Sequence, residues 1–153
     1  MKKSLLLAVL TLASFNSFAA LFDTLLLQGT VNESTNIVVT PVTIASTLNL
    51  TASQTNLVVA SVSEKSNSHT GYNVNISSAH AGNLLHEDAV EVFPYTLKYN
   101  GASINLAAPV DVPYEPSHGH SDRAVTISYV GVPEEDMVAG IYADIITFTI
   151  SAI

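Results

Sequence analysis

Two histidines in a short polar stretch are the residues that come closest to a metal-binding motif. The stretch reads EPSHGHSD, from Glu115 to Asp122, and it places His118 two residues before His120. In an extended chain this spacing puts both imidazoles on one face, and the two flanking carboxylates could add oxygen ligands for Zn²⁺ or Cu²⁺. A metal site needs further ligands in a fixed geometry. We therefore favour a polar loop with solvent-facing histidines, and we expect no cofactor.

Nucleophilic catalysis has less support than metal binding. The sequence contains no cysteine, which excludes a thiol nucleophile and a thiolate metal site. Serine, histidine and aspartate all occur, but no serine lies in a G-x-S-x-G elbow. The glycine-rich motifs that bind phosphates and dinucleotides do not occur either. We therefore expect that the protein is not an enzyme.

The N-terminal residues have the order of parts that defines a secretory signal peptide. Lys2 and Lys3 precede a short apolar run, and small residues lead up to Ala19. We predict cleavage after Ala19, with Ala20 as the alternative, so that residues 1–19 are the signal peptide. The 134 residues that follow are enough for one domain with a substantial core.

The chain that remains after this cleavage is strongly acidic. It has three basic residues against 13 acidic ones, which gives a net charge of −10. Phosphate backbones and anionic lipid surfaces repel such a chain. No later stretch has the roughly 18 consecutive apolar residues of a membrane helix. We therefore expect an exported protein that binds no nucleic acid and is not embedded in a membrane.

Short strands are predicted along most of this chain. Apolar and polar residues alternate with the period of a β-strand in residues 56–63, 72–77, 92–99, 125–129 and 142–150. Asn100-Gly101 predicts a hairpin turn between 95–99 and 102–106. Short helical turns are predicted within 84–90 and 134–139. Seven or eight strands separated by turn signals are typical of an antiparallel sandwich of immunoglobulin type.

Apolar alternation is also present near both ends of the mature chain. At the N-terminal end it comprises Leu25, Leu27, Gly29 and Val31. At the C-terminal end, Gly140 is followed by Ile146, Phe148 and Ile150. From the pattern alone, both stretches could be ordinary strands of one sandwich.

With both ends considered, the sequence resembles the pilin subunits of chaperone–usher fimbriae, across essentially the whole mature chain. In that family the N-terminal extension alternates apolar residues with a glycine before the last one, as Leu25 to Val31 do. The last strand follows a glycine about fourteen residues from the end, which corresponds to Gly140. The stretch VSEKSNSHTGYNVNISS, residues 62–78, and the stretch YTLKYNGA, residues 95–102, are similar to spore-coat-protein-U-like secreted pilins. The usual disulfide and the near-terminal aromatic residue are absent.

This resemblance implies an incomplete immunoglobulin-like sandwich that a donor strand completes. Residues 20–34 would be the donor-strand extension, with Leu25, Leu27, Gly29 and Val31 as its contact residues. Residues 35–153 would be the pilin domain, with Gly140, Ile146, Phe148 and Ile150 at the groove that first a chaperone and then the next subunit fills. Because each copy donates to one neighbour and accepts from another, a fibre grows.

The function that follows is a structural subunit of a surface fimbria that supports adhesion or biofilm formation. Its partners would be other copies or sister pilins, a periplasmic chaperone and an outer-membrane usher. The alternative is a freestanding secreted β-sandwich that binds sugar or matrix. In that case residues 25–31 would pair within their own sandwich.

Overall fold

A computed structural model of the protein describes residues 22–115 and 119–153, which fall into two units. The described part of the first unit, residues 22–31, contains no helix or strand. The second unit, Asn32–Ile153, begins three residues before the predicted domain boundary. The predicted signal peptide and His118 lie outside the described residues. No described helix is long and apolar enough to cross a membrane.

Strands make up most of the second unit, so the prediction of an all-β fold is confirmed. The described residues form β1 (Thr35–Pro41), β2 (Gln54–Ser66), β3 (Tyr72–Ser78), β4 (Asn83–His86), β5 (Val92–Pro94), β6 (Thr96–Tyr99), β7 (Ala102–Ile104), β8 (Val110–Tyr114), β9 (Gly119–Tyr129), β10 (Tyr142–Ala143) and β11 (Ile146–Ala152). Short 3₁₀ turns cover Thr43–Ser46 and Glu134–Asp136. The second turn lies where one was predicted. The helical turn predicted within 84–90 is wrong, because residues 84–86 belong to β4.

The strands pair antiparallel in three sheets. The largest has the order β1-β2-β9-β6-β7, and the two smaller ones have the orders β11-β3-β8 and β10-β4-β5. The predicted hairpin is present, because β6 pairs with β7 and Asn100 adopts a positive φ of 50° at the turn. Two register shifts in β2 mark irregular pairing with β9 near Val58.

One core cluster draws side chains from all three sheets. Val62, Leu97 and Val125 come from the five-stranded sheet, Ile76 comes from β3, and Phe93 comes from β5. These residues occupy alternate strand positions, as expected for strands with one buried face. The sheets therefore pack around a common interior in a sandwich-like arrangement, which brings the edge strands β1 and β11 to the same side of the second unit.

Candidate functional site: an open groove between two edge strands

The strands β1 and β11 each have one free edge among the described strands. β1 pairs only with β2, and β11 pairs only with β3. The N–H of Ile153 donates to the carbonyl of Gly71, at 3.2 Å, so odd-numbered residues of β11 direct their amides towards β3. Ile146, Phe148 and Ile150 therefore direct theirs towards the free edge.

The same argument assigns the free edge of β1. The N–H of Val42 donates to the carbonyl of Val59, at 2.8 Å, so even-numbered residues face β2. Thr35, Ile37 and Val39 therefore direct their amides outwards. Both edges thus present unpaired backbone groups on the same residues whose side chains line the interior.

An apolar groove, which we call the edge groove, lies between these two strands. It contains a cavity of about 260 Å³ whose walls include Val39 and Pro41 of β1 and Ile146 and Phe148 of β11. The remaining lining residues are Ala45, Leu48, Val59, Ala60, Leu84, Tyr95, Leu97, Val125, Ile127 and Asp144. Val39 keeps 39% of its surface exposed although it faces inwards. The core is therefore unfilled along this side.

The edge groove is narrower than an inserted strand requires. Some Cα atoms of β1 lie within 8 Å of Cα atoms of β11. A strand that pairs with both neighbours separates them by about 9.5 Å. Insertion therefore requires the two edges to part by about 1.5 Å or more at the narrowest positions.

A buried carboxylate lies at the end of the edge groove where β11 begins. Asp144, whose side chain is 2% exposed, accepts hydrogen bonds from the hydroxyls of Ser78 and Tyr95, both at 2.6 Å, and from the N–H of His80 at 3.0 Å. The His80 Nδ1 atom lies 3.4 Å from the carboxylate. Burial, followed by the hydrogen bond to Asp144, raises the pKa of Tyr95. These donors satisfy the carboxylate and fix the start of β11.

A second buried carboxylate, Glu64, lies beside the opposite half of the edge groove, since it pairs with Ile37 of β1. It accepts hydrogen bonds from the hydroxyls of Tyr72, at 2.8 Å, and Tyr99, and from Nε of Arg123 at 3.2 Å. Burial, followed by the hydrogen bond to Glu64, raises the pKa of Tyr72 to about 12. Burial opposes the charge of Arg123, but the contacts with Glu64 raise the pKa of its guanidinium.

Gly140 lies two residues before β10, and not on the edge groove itself. A Cβ atom at this position would come within 2.2 Å of Nε2 of His86, and the backbone has a φ of +156°. The His86 ring is held in turn by the N–H of Asp88, at 3.1 Å from Nδ1. Gly140 therefore allows the chain to pass over this ring on its way to β10 and β11.

The N-terminal contact residues predicted from the sequence are exposed. Leu25, Leu27 and Val31 have 82%, 83% and 87% of their surface exposed. Leu26, on the opposite face of an extended segment, is 80% exposed. The C-terminal set behaves differently, because Ile146, Phe148 and Ile150 are half-buried and face the core.

Of the two histidines considered as metal ligands, His118 and His120, only His120 lies within the described residues. His120 is described, with Nε2 at 3.0 Å from Oδ1 of Asp122 and Nδ1 at 3.1 Å from the hydroxyl of Ser63. Among the described residues, no group of three or more metal-ligating side chains comes together. Both ring nitrogens of His120 thus lie close to polar side chains of its own chain, and the ring is exposed.

No family model matches the chain, and a search of curated proteins found no significant match.

Several residues of the edge groove were not anticipated from the sequence. Val39 and Pro41 lie in a stretch, VVTPVT, whose alternation is masked by consecutive apolar residues. Leu48 belongs to the connection before β2, and Asp144 is a polar residue within an apolar run. The proline next to a β-branched run is the one available signal, since proline in a sheet indicates an edge strand.

Proposed function

We propose that this protein is a structural subunit of a surface fimbria that polymerises by donor-strand complementation. The edge groove of one copy accepts residues 25–31 of another. The observation that carries the proposal is the pair of free edges on either side of an unfilled apolar cavity.

The segment and the groove are matched in length and pattern. Leu25–Val31 spans seven residues, as do β1 and β11. An extended segment presents Leu25, Leu27 and Val31 on one face, and the cavity walls are formed mainly by aliphatic and aromatic side chains. Burial of each large apolar side chain would contribute about 1.5–3 kcal/mol, in addition to the two ladders of backbone hydrogen bonds.

The two glycines support an intermolecular role for the segment. Gly140 is required within its own chain by its contact with His86. A Cβ atom built at Gly29, in contrast, meets no atom within 4 Å, and no unusual backbone conformation applies there. A requirement for glycine at this position would therefore come from a neighbouring copy.

Size complementarity favours an antiparallel arrangement of the segment along β11. With Val31 opposite Ile146 and Leu25 opposite Ala152, Gly29 lies opposite Phe148, which is the largest side chain of β11. A parallel arrangement of the same residues places Leu27 opposite that ring instead. A glycine opposite an aromatic residue is a favourable cross-strand combination, so we assign the antiparallel register.

An unfilled groove with free edges must be protected before assembly. Exposed strand edges promote uncontrolled pairing between chains. We therefore include a periplasmic chaperone among the partners of this protein, together with an outer-membrane usher, which fits export by the predicted signal peptide. These partners, and the location at the cell surface, follow from the same donor-strand mechanism.

Leu26 and Leu27, whose side chains point to opposite faces of the extended segment, provide a direct test. We expect Leu27→Asp to abolish polymers, because it places a carboxylate in an apolar groove, whereas Leu26→Asp adds the same charge on the outer face. The purified chain lacking residues 1–19 is refolded over a range of concentrations. Polymers are then measured by size-exclusion chromatography and electron microscopy.

The result that supports the proposal is concentration-dependent polymer from the unmodified chain and from Leu26→Asp, with monomer only from Leu27→Asp. A cooperative monomer from all three chains at every concentration would contradict the proposal. That result would favour the freestanding binding module.

A further inference from the structure

The outer face of the sheet β10-β4-β5 carries several exposed apolar side chains, and we call it the outer apolar face. Ala143 pairs with Leu85, which pairs with Val92, so these three side chains form one row across the sheet. Asn83 pairs with Pro94 in the next row. Ile145 follows β10, and its carbonyl accepts a hydrogen bond from the N–H of Ala79. Ile141 extends the other end, where its carbonyl accepts from the N–H of Glu87 at 2.8 Å.

These side chains are exposed to solvent. Ile141, Ile145 and Val92 have 66%, 68% and 55% of their surface exposed, and Val90 in the adjoining turn has 64%. Their neighbours in sequence, Tyr142, Asp144 and Phe93, face the core instead. The exposure therefore follows from strand alternation and is not a consequence of local disorder.

The corresponding face of the neighbouring sheet is polar. Along β11 the outward residues are Thr147, Thr149 and Ser151, and they pair with Ser77, Asn75 and Asn73 of β3. Hydroxyl and amide groups therefore cover the outer face of β11 and β3 in the same molecule. Exposed large apolar side chains gathered on one small sheet and its turns, beside a sheet whose outer face is polar, indicate an interaction surface.

Charge around the outer apolar face is of one sign. Glu87 and Asp88 occupy the turn after β4, and the N–H of Val138 donates to Oε2 of Glu91 at 2.9 Å, close after the acidic turn Glu134–Asp136. The basic residues beyond residue 3 all lie on the five-stranded sheet, in β2, β6 and β9. None lies on the three strands that form this face.

We propose that the outer apolar face is a docking surface for a partner protein that presents an apolar patch bordered by lysine or arginine. A second copy meeting this face through the same surface would bring the acidic borders together, which is unfavourable at moderate salt. An anionic lipid surface is repelled for the same reason. This proposal is independent of the donor-strand groove, because it uses a different sheet and the opposite face of its strands.

The probe for a test is the synthetic peptide Lys-Lys-Leu-Leu-Leu-Leu-Lys-Lys, the Leu-Lys peptide, in which lysines border an apolar stretch. The same peptide with glutamate in place of each lysine, the Leu-Glu peptide, is the charge control. Binding to the Leu27→Asp chain is measured by calorimetry, and the contact residues are mapped by NMR chemical shifts. We expect the Leu-Lys peptide to shift resonances of β4, β5 and β10 and to bind at least tenfold more tightly than the Leu-Glu peptide.

Three variants separate this face from other surfaces. The double change Ile141→Asn and Ile145→Asn should weaken binding at least tenfold, whereas Thr147→Asn with Thr149→Asn on β11 should leave it unchanged. Val39→Asn should weaken binding only if the peptide enters the edge groove. The proposal is overturned if only Val39→Asn weakens binding, if both peptides bind equally, or if the isoleucine variant binds as the unmodified chain does. Thermal unfolding of each variant confirms that it is folded.

Discussion

The two buried carboxylates lie in regions of the sandwich that differ in how completely the interior is filled. Around Glu64, aromatic rings and a guanidinium close the core, with Tyr72 stacked on Tyr114 at 5.1 Å between ring centroids. The guanidinium carbon of Arg123 lies 4.7 Å from the centre of the Tyr114 ring. Around Asp144 the carboxylate is equally satisfied, but the adjoining apolar side chains border an open cavity.

This difference separates the stability of the single chain from its capacity to assemble. The Glu64 region joins β2, β3, β6 and β9 through side-chain contacts, so it holds two sheets together without help from another molecule. The edge groove leaves apolar surface that another strand could bury. Substitutions in the first region should therefore change folding, and substitutions in the second should change association.

The largest expected effect is from Glu64→Ala. The change leaves the guanidinium of Arg123 and two tyrosine hydroxyls without their acceptor, which we expect to cost about 3–5 kcal/mol of unfolding free energy. Urea denaturation measures this cost, with Glu135→Ala, at an exposed site, as a control expected to change stability by less than about 0.5 kcal/mol. A loss below about 1 kcal/mol would contradict the role given to this cluster.

A matched pair of isoleucines compares the filled and unfilled parts of the core. Ile76 is fully buried, so Ile76→Ala should cost about 2–5 kcal/mol. Ile146 borders the edge groove and is half-buried, so Ile146→Ala should cost the single chain about 1 kcal/mol. Equal losses in urea denaturation would show that the groove is already filled in the single chain.

Alkaline pH should weaken the Glu64 region. The raised pKa of Tyr72, about 12, means that the folded state keeps a proton that the unfolded chain releases near pH 10. Stability from this group is complete below pH 10 and is lost as the pH rises towards 12, by about 2–3 kcal/mol. Urea midpoints at pH 8, 10 and 11.5 test this, and Tyr72→Phe should make the decline smaller without removing it, because the pKa values of Tyr95 and Tyr99 are raised as well. A urea midpoint that stays constant across these pH values would contradict this prediction.

Substitutions of the two glycines are expected to differ in whether they change folding or assembly. Gly140→Ala should destabilise the chain by about 1–3 kcal/mol, because the added methyl group meets the ring of His86. Gly29→Ala should change stability by less than about 0.5 kcal/mol and yet slow polymer formation. Thermal unfolding and polymerisation of both variants provide the test. If Gly29→Ala forms polymers as fast as the unmodified chain, a glycine is not required opposite Phe148, and the prediction is contradicted.

Strand alternation made the fold class and several strands predictable. Tyr72 to Ser77 and Val125 to Tyr129 have a clear period of two, and Asn100-Gly101 defines a type of turn with few alternatives. The prediction of a helical turn around Leu84 was wrong, because two adjacent leucines fit a helix as well as a short strand. The pairing of β4 with β10 involves residues more than 50 positions away in the sequence, which local pattern does not encode.

Only the β11 side of the edge groove was predictable from the sequence. Ile146, Phe148 and Ile150 alternate clearly, so their common face could be read from the sequence. Their partners Val39 and Pro41 are more than 100 residues away and share no local motif with them. The buried role of Asp144 depends on hydroxyl donors from Ser78 and Tyr95, which only the folded chain brings together.

The most direct test of the donor-strand account is a disulfide between two copies, in a chain that has no cysteine of its own. In the antiparallel register Thr30 of one copy lies opposite Thr147 of the next, on the outer face, in a non-hydrogen-bonded pair suited to a disulfide. Chains with Thr30→Cys and with Thr147→Cys are refolded together and oxidised. The account predicts a crosslinked dimer from this pair and little from Leu26→Cys with Thr147→Cys. The absence of a crosslink from the first pair, with both chains folded, would contradict it.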